Sequence, residues 1–285
     1  SCLKSRGLGD VYKRQAMILV IGLLVAPASA AAQEGEPGIV TDIVSHELIT
    51  DIHVWAPDGE GPYPIVYALH GTGVDYGSDW GVIAEKLARA GVVTFAIDYH
   101  ASDWQTGDFT RVIREAECGY RYVLQVADEY GGSSEEPVLS AGHSIGGTYA
   151  LGGGLGVDRY GPAGTYDECF EGAPRPDVVV SIAGCHFEAY GRTFELVPEQ
   201  FGTGDAALLF IGAEHDETCP AWQSVDAAEV FAAAGYDATS LVVPDATHLS
   251  LLGHEVVDGE FVTLADDPAS AAVAEAIMGA IEAAR

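Results

Sequence analysis

The chain has 285 residues, 48% of them apolar and 20% charged, and its 13 lysines and arginines face 43 aspartates and glutamates for a formal net charge of −30. That charge repels nucleic acid and anionic lipid, so neither nucleic acid nor a membrane surface is an expected partner. The length suits one large core in a single α/β domain better than two small domains, and no internal repeat is visible.

The first 32 residues are read as lying outside the fold, with one catalytic domain over 33–285. Ser1–Gln15 resemble translated adapter sequence. Lys13-Arg14, the apolar run Ala16–Ala26 and the exit Ala28-Ser29-Ala30 then have the order of a secretory signal peptide. The run is shorter than the roughly 20 apolar residues a membrane-spanning helix needs, so stable membrane anchoring is not expected. Cleavage is expected after Ala30 or Ala32, with a secreted or periplasmic location. Removing residues 1–30 takes away Lys4, Arg6, Lys13, Arg14 and Asp10, moving the charge from −30 to −33 and leaving Lys86 as the last lysine. Scarce lysine with abundant acid fits either a saline habitat or GC-rich coding. Cys118, Cys169, Cys185 and Cys219 remain, and an oxidising compartment favours one or two disulfides among their three pairings.

Along the chain, Ile39–Val44 and Leu48–Val54 alternate apolar and polar residues and predict an opening antiparallel pair. Ile65–Leu69 is a solid apolar run, as in a buried strand. Ser78-Asp79 are placed to cap a helix through Ala90, with Trp80, Ile83, Ala84 and Leu87 on one face and Gly91 as its stop. A strand over Val92–Ile97, a long helix over Phe109–Tyr130 ended by Gly131-Gly132, and a strand over Pro137–Ala141 follow. Residues 152–176 read as a surface excursion and 184–205, after strand Val178–Ala183, as a small lid. Strand Ala207–Ile211, a helix from Ser224 to Ala234, strand Ser240–Val243 and an Ala-rich helix from Pro268 to Ala284 complete the chain. Apolar strands alternating with helices imply a mostly parallel sheet flanked by helices, whose ligand site lies beyond the carboxyl ends of the strands.

Gly142-His143-Ser144-Ile145-Gly146 stands between a strand and a helix, where the sequence Gly-x-Ser-x-Gly makes a sharp turn that lifts the serine hydroxyl clear of the sheet. Asp216 and His248 follow later strands, and the order Ser, acid, His is that of α/β hydrolases. Each type has a task. Serine is a poor nucleophile unless a base removes its proton, histidine can return that proton to the leaving group, and a carboxylate fixes the histidine tautomer. Glu214, Glu217 and Asp245 are rival acids; Asp216 is favoured because it lies nearest the turn toward Pro220. His70-Gly71-Thr72-Gly73 ends a central strand, which makes the N–H groups of Thr72 and Ile145 the expected oxyanion donors. Tyr76, Trp80, Trp104, Phe187 and Trp222 fall in loops or near strand ends and, with His143, are candidates to line the substrate pocket.

These motifs resemble those of the dienelactone hydrolase, chlorophyllase and bacterial cutinase-like esterase group of the α/β-hydrolase superfamily. His70-Gly71 resembles its oxyanion turn, Gly142–Gly147 its nucleophile elbow, Gly212–Pro220 its acid loop and Ala246-Thr247-His248 its histidine turn, over about residues 45–285. The resemblance implies a secreted carboxylic-ester hydrolase with the α/β-hydrolase fold, working through an acyl-enzyme on a small or polymeric ester, with no cofactor. Two departures stand out. Gly184-Cys185-His186 replaces the tryptophan of polyester-degrading cutinases, so aromatic polyesters are not expected to be good substrates, and Ser144 replaces the cysteine nucleophile of dienelactone hydrolases.

Other readings are open to the same residues. The triad also serves amidases, peptidases and acyltransferases, and a hydrolase scaffold can persist as a silent binding module. Gly152–Gly156 lacks the lysine and the strand-to-helix setting of a phosphate cradle. His186, His215, Asp216 and Cys219 fit no metal-ligand spacing, so no metal is expected.

Overall fold

The computed structural model describes residues 38–45, 51–72, 77–99, 109–155, 174–189, 192–193, 196–201 and 205–285. The signal-peptide reading, Tyr76, Trp104, Cys169 and most of the 152–176 excursion lie outside these residues. Among the described residues, no helix is long and apolar enough to cross a membrane.

The molecule is built on an eight-stranded sheet. β1 (Ile39–Ser45) and β2 (Asp51–Pro57) are antiparallel, in a register running from Ile39 opposite Pro57 to Ser45 opposite Asp51. β3 (Ile65–Leu69), β4 (Val93–Ile97), β5 (Val138–His143), β6 (Val178–Ile182), β9 (Ala207–Ala213) and β10 (Ala238–Val243) run parallel, in the order β1-β2-β4-β3-β5-β6-β9-β10. The fold is the α/β-hydrolase fold, with α1 (Gly81–Arg89), α2 (Phe109–Val126), α3 (Ile145–Leu155), α4 (Trp222–Ala233) and α5 (Pro268–Ala284) on the sheet.

Period-two alternation decides which face each strand residue serves. On β3, Ile65, Tyr67 and Leu69 join a core that includes Phe95, Val112, Tyr149, Phe210 and Phe231 beneath α2, α3 and α4. Val66 and Ala68 join the opposite core with Trp80, Ile83 and Leu87 near α1 and Val273, Ile277 and Ile281 on α5. The central strands are buried on both faces for this reason. Edge strand β10 is not, and Leu241 and Val242 remain exposed on it.

Several boundaries differ from expectation. Ser78 and Asp79 do not cap α1: a 3-10 turn over Gly77–Trp80 takes their place, and α1 begins at Gly81 without a side-chain cap. The long second helix tightens into 3-10 geometry at Ala127–Tyr130 before Gly131, whose φ of 77° closes it. Gly152, Gly153 and Gly154 belong to α3, so the glycine-rich stretch is helical there. The segment read as a lid contributes a two-stranded β7 (Glu188–Ala189) and β8 (Arg192–Thr193) and a 3-10 turn at Pro198–Gln200. An unexpected hairpin, β11 (His254–Val257) and β12 (Glu260–Thr263), precedes α5. Its turn is Asp258-Gly259, with φ of 54° and 84°, the left-handed pair that a two-residue hairpin loop requires.

Candidate active site

Ser144 is the single residue between β5 and α3, held at φ 57°, a left-handed conformation uncommon outside glycine. Its N–H donates to the Ile182 carbonyl at 2.9 Å, which fixes the turn to β6. The flanking glycines are steric requirements. A Cβ on Gly142 would lie 2.0 Å from the Gly146 oxygen, and one on Gly146 would lie 2.3 Å from the His70 oxygen. Ser144 is 2% exposed. Ile145 opens α3, so its N–H has no acceptor within the helix.

Residues 70–72 approach the same turn from β3. A Cβ on Gly71 would sit 2.8 Å from the Ser144 Cβ, so the turn passes directly over the serine. Half-buried Thr72 follows it. His70 braces the turn: its Nε2 accepts from the Tyr99 N–H at 3.3 Å, which leaves Nδ1–H to donate to the Gly71 carbonyl at 2.8 Å. The Tyr99 hydroxyl in turn donates to the His70 carbonyl, with the two rings 4.3 Å apart. Asp98, beside Tyr99, accepts from the Gly77 N–H and lies 3.5 Å from His53 Nε2. Burial raises its carboxyl pKa, but these donors outweigh burial and hold it below the usual range.

Beyond β9, Asp216 is buried, whereas Glu214, Glu217 and Asp245 are exposed. Asp216 Oδ1 accepts from the N–H groups of Thr218 and Cys219, both at 2.8 Å, and Oδ2 meets His248 Nδ1 at 2.7 Å. Charge-assisted contacts of this length are the strong class of hydrogen bond. His248 also lies against the elbow. Its carbonyl accepts from His143 Nε2 at 2.8 Å, and the two rings are 4.6 Å apart. Burial first, and then the nearby His248, hold His143 well below the usual imidazole range, against the raising effect of that hydrogen bond. His143 Nδ1 is buried with no hydrogen-bond partner. One small region therefore gathers Gly71, Ser144, Ile145, Asp216 and His248 from the carboxyl ends of four strands, β3, β5, β9 and β10.

The pocket candidates divide. Phe187 stacks on Trp222 with centroids 5.8 Å apart, and Trp222 is 43% exposed. Trp80 is fully buried in the core near α1, so it lines nothing, and His143 lies beneath the elbow rather than in an open pocket. His186 is buried edge-on against Phe210, and burial pushes its pKa down to about 3. The imagined metal set is not assembled: Asp216 is bonded to His248 and Cys219 to Cys185. A different trio among the described residues, Glu214, His215 and Asp245, brings its donor atoms within 4.8 Å of one another, all on the exposed surface.

Sequence reasoning did not single out Gln223, Tyr99 or Thr148. Gln223 is completely buried, accepts from the N–H groups of Phe187 (2.8 Å) and Glu188 (3.0 Å), and donates to the Glu188 carbonyl (3.0 Å). A glutamine near the start of a helix carries no signal of such a role; only the tertiary fold supplies its partners.

No protein-family model matches the chain, and no curated protein sequence does. Its structure is similar to those of known esterases. Esterase B of Lactobacillus rhamnosis superimposes with a TM-score of 0.65 at 16% identity, over 87% of this chain and 86% of that one. A thermophilic esterase of the planctomycete Thermogutta terrifontis, Est2, gives 0.62 at 16% identity, over 85% and 91%. Carboxyl esterase 2 of the fungus Tuber melanosporum gives 0.63 at 15%, over 88% and 89%. The Thermogutta protein also matches in propionate-bound, butyrate-bound and paraoxon-phosphorylated forms. At these identities the likeness defines the shared fold.

Proposed function

We propose that the protein is an exported serine carboxylic-ester hydrolase that works through an acyl-enzyme at Ser144. The observation that carries this reading is the 2.7 Å contact of Asp216 with His248, whose ring stands 4.6 Å from that of His143, next to a serine in a left-handed elbow. In the proposed mechanism the Ser144 hydroxyl adds to the ester carbonyl while His248 Nε2 accepts its proton. The N–H groups of Ile145 and Thr72 hold the developing oxyanion. Collapse expels the alcohol, which leaves with the proton from His248. Water then adds to the acyl-enzyme by the same route, releasing the acid and restoring the serine hydroxyl. Asp216 keeps the Nδ1–H tautomer in place and stabilises the imidazolium.

Short acyl groups are the favoured substrates under this proposal. The structurally similar Thermogutta esterase has been seen with propionate and with butyrate. Export, with cleavage after Ala30 or Ala32, is supported by the leader-like order of charge and hydrophobicity and by disulfide-bonded cysteines. The test is turnover of p-nitrophenyl acetate and butyrate by Ser144→Ala, which should lose about 10⁴-fold or more. Undiminished turnover would refute the assignment. A chain-length series of such esters then measures pocket depth.

A further inference from the structure

We infer that Cys185 and Cys219 are positioning residues for the acid of the triad, so that turnover depends on their disulfide; this rests on the triad reading above. The disulfide is buried and joins the segment after β6 to the loop after β9. Its two ends reach the two halves of the site. Cys219 donates its N–H to Asp216 Oδ1 at 2.8 Å, one of the two backbone donors that orient the carboxylate. The carbonyl of Cys185 accepts from the Thr148 hydroxyl at 3.2 Å, and Thr148 lies on α3, one turn beyond Ser144. A continuous path therefore runs from the nucleophile's helix through Thr148, Cys185, Cys219 and Asp216 to His248.

The rest of the segment is held to the start of α4 just after the acid loop. Gln223 binds the backbone of Phe187 and Glu188, and Phe187 stacks on Trp222. These contacts fix residues 187–188 to α4 but not Cys219 itself, which precedes the helix. The Sγ–Sγ bond is the restraint that acts at the residue touching Asp216. Without it, the Thr218 and Cys219 N–H groups are free to drift from Oδ1. A displacement near 1 Å in a reacting geometry costs about 10²-fold in rate.

The test compares the full-length wild type with Cys185→Ser/Cys219→Ser, below the variant's melting temperature and with its fold checked by circular dichroism. We expect kcat for p-nitrophenyl butyrate to fall about 10²-fold with KM within twofold, and fluorophosphonate labelling of Ser144 to slow in parallel. A folded variant with wild-type kcat and labelling rate overturns the inference, whatever its melting temperature. If the variant does not fold, a water-soluble phosphine is applied to the wild type. It cleaves each accessible disulfide to two thiols, taking oxygen from water to become the phosphine oxide. Activity is followed in one set of aliquots and alkylation of each cysteine, by mass spectrometry, in another. Because Cys118 is also disulfide-bonded, it serves as the internal reference. Loss of activity that tracks exposure of Cys185 and Cys219 thiols supports the inference, and full activity after both are reduced overturns it. Ser144→Ala separates the two levels: full turnover there removes the triad reading, whereas a silent Ser144→Ala beside an undiminished disulfide variant removes this inference alone.

Discussion

Asp216→Asn is the most informative single change, because the structure determines which way the asparagine must face. Oδ1 of Asp216 receives two backbone N–H groups at 2.8 Å, and Oδ2 receives His248 Nδ1 at 2.7 Å. An asparagine can keep only one oxygen. Directing its NH₂ at the Thr218 and Cys219 N–H groups leaves both donors without an acceptor, at about 1–3 kcal/mol each. The amide oxygen therefore stays on the loop, and the NH₂ faces His248 Nδ1. Nδ1 must then accept, which forces the proton onto Nε2, the atom that receives the serine proton in the proposed mechanism. The wrong tautomer leaves the base blocked with its position unchanged. The expected loss in kcat is about 10⁴-fold, or about 5 kcal/mol of transition-state stabilisation. Asp216→Ala imposes no tautomer and should lose less. The assay is p-nitrophenyl butyrate turnover across both variants, with melting temperatures as a control on folding. If Asp216→Asn stays within tenfold of wild type, or if alanine is the more damaging change, the assigned geometry is not the working one.

Gly71→Ala places a methyl group 2.8 Å from the Ser144 Cβ and 3.3 Å from His143 Nδ1, so the turn carrying the Thr72 N–H must retreat. A drop in kcat of about 10- to 10²-fold with the fold retained is expected, and steady-state kinetics showing no change would remove this turn from the oxyanion site. Glu117 on α2 is expected to make stability pH-dependent. Burial, partly opposed by Arg175, pushes its pKa up from 4.5 to about 7. The folded chain thus binds this proton more tightly than the unfolded chain. The group's contribution is most favourable below pH 4.5 and is lost as pH rises to about 7. Allowing for its partial exposure, the loss is about 2 kcal/mol. Urea melts of wild type and Glu117→Gln at pH 5 and pH 8 should show the wild type losing that much more stability; parallel losses would refute the assignment.

How much of this was legible in the sequence depended on whether a signal was local. The solid apolar runs at Ile65–Leu69 and Val178–Ile182 announced buried parallel strands, because burial on both faces removes alternation. Pro268–Ala284 was bounded by its own chemistry, a proline at the first turn and Asp267 accepting from the Ala269 N–H. The Asp258-Gly259 turn is equally local, but its flanking strands are short and partly charged and give no strand signal of their own. Ser78-Asp79 misled because a capping pair is only a preference, and packing of Trp80 into the core set the helix start instead. Gln223, Tyr99 and Thr148 were not legible at all. Their partners lie far away in the chain, and no residue type at one position encodes a distant carbonyl.

Those distant partners explain how the ends of four separate strands are brought to one place. Strand register fixes where each loop leaves the sheet, but not where its side chains come to rest. In the proposed site, the His70–Tyr99 pair supplies the missing restraint on the oxyanion side, and Cys185–Cys219 supplies it on the acid side. His143 supplies it for the base, donating to the backbone of His248 from the residue before the nucleophile. That role tolerates only a neutral ring. Under the proposed mechanism, an imidazolium at 143 would stand 4.6 Å, ring to ring, from the group that becomes cationic during proton transfer, and the two like charges would oppose the reaction. Burial prevents this by depressing the His143 pKa, so the residue can brace the base without competing with it for charge.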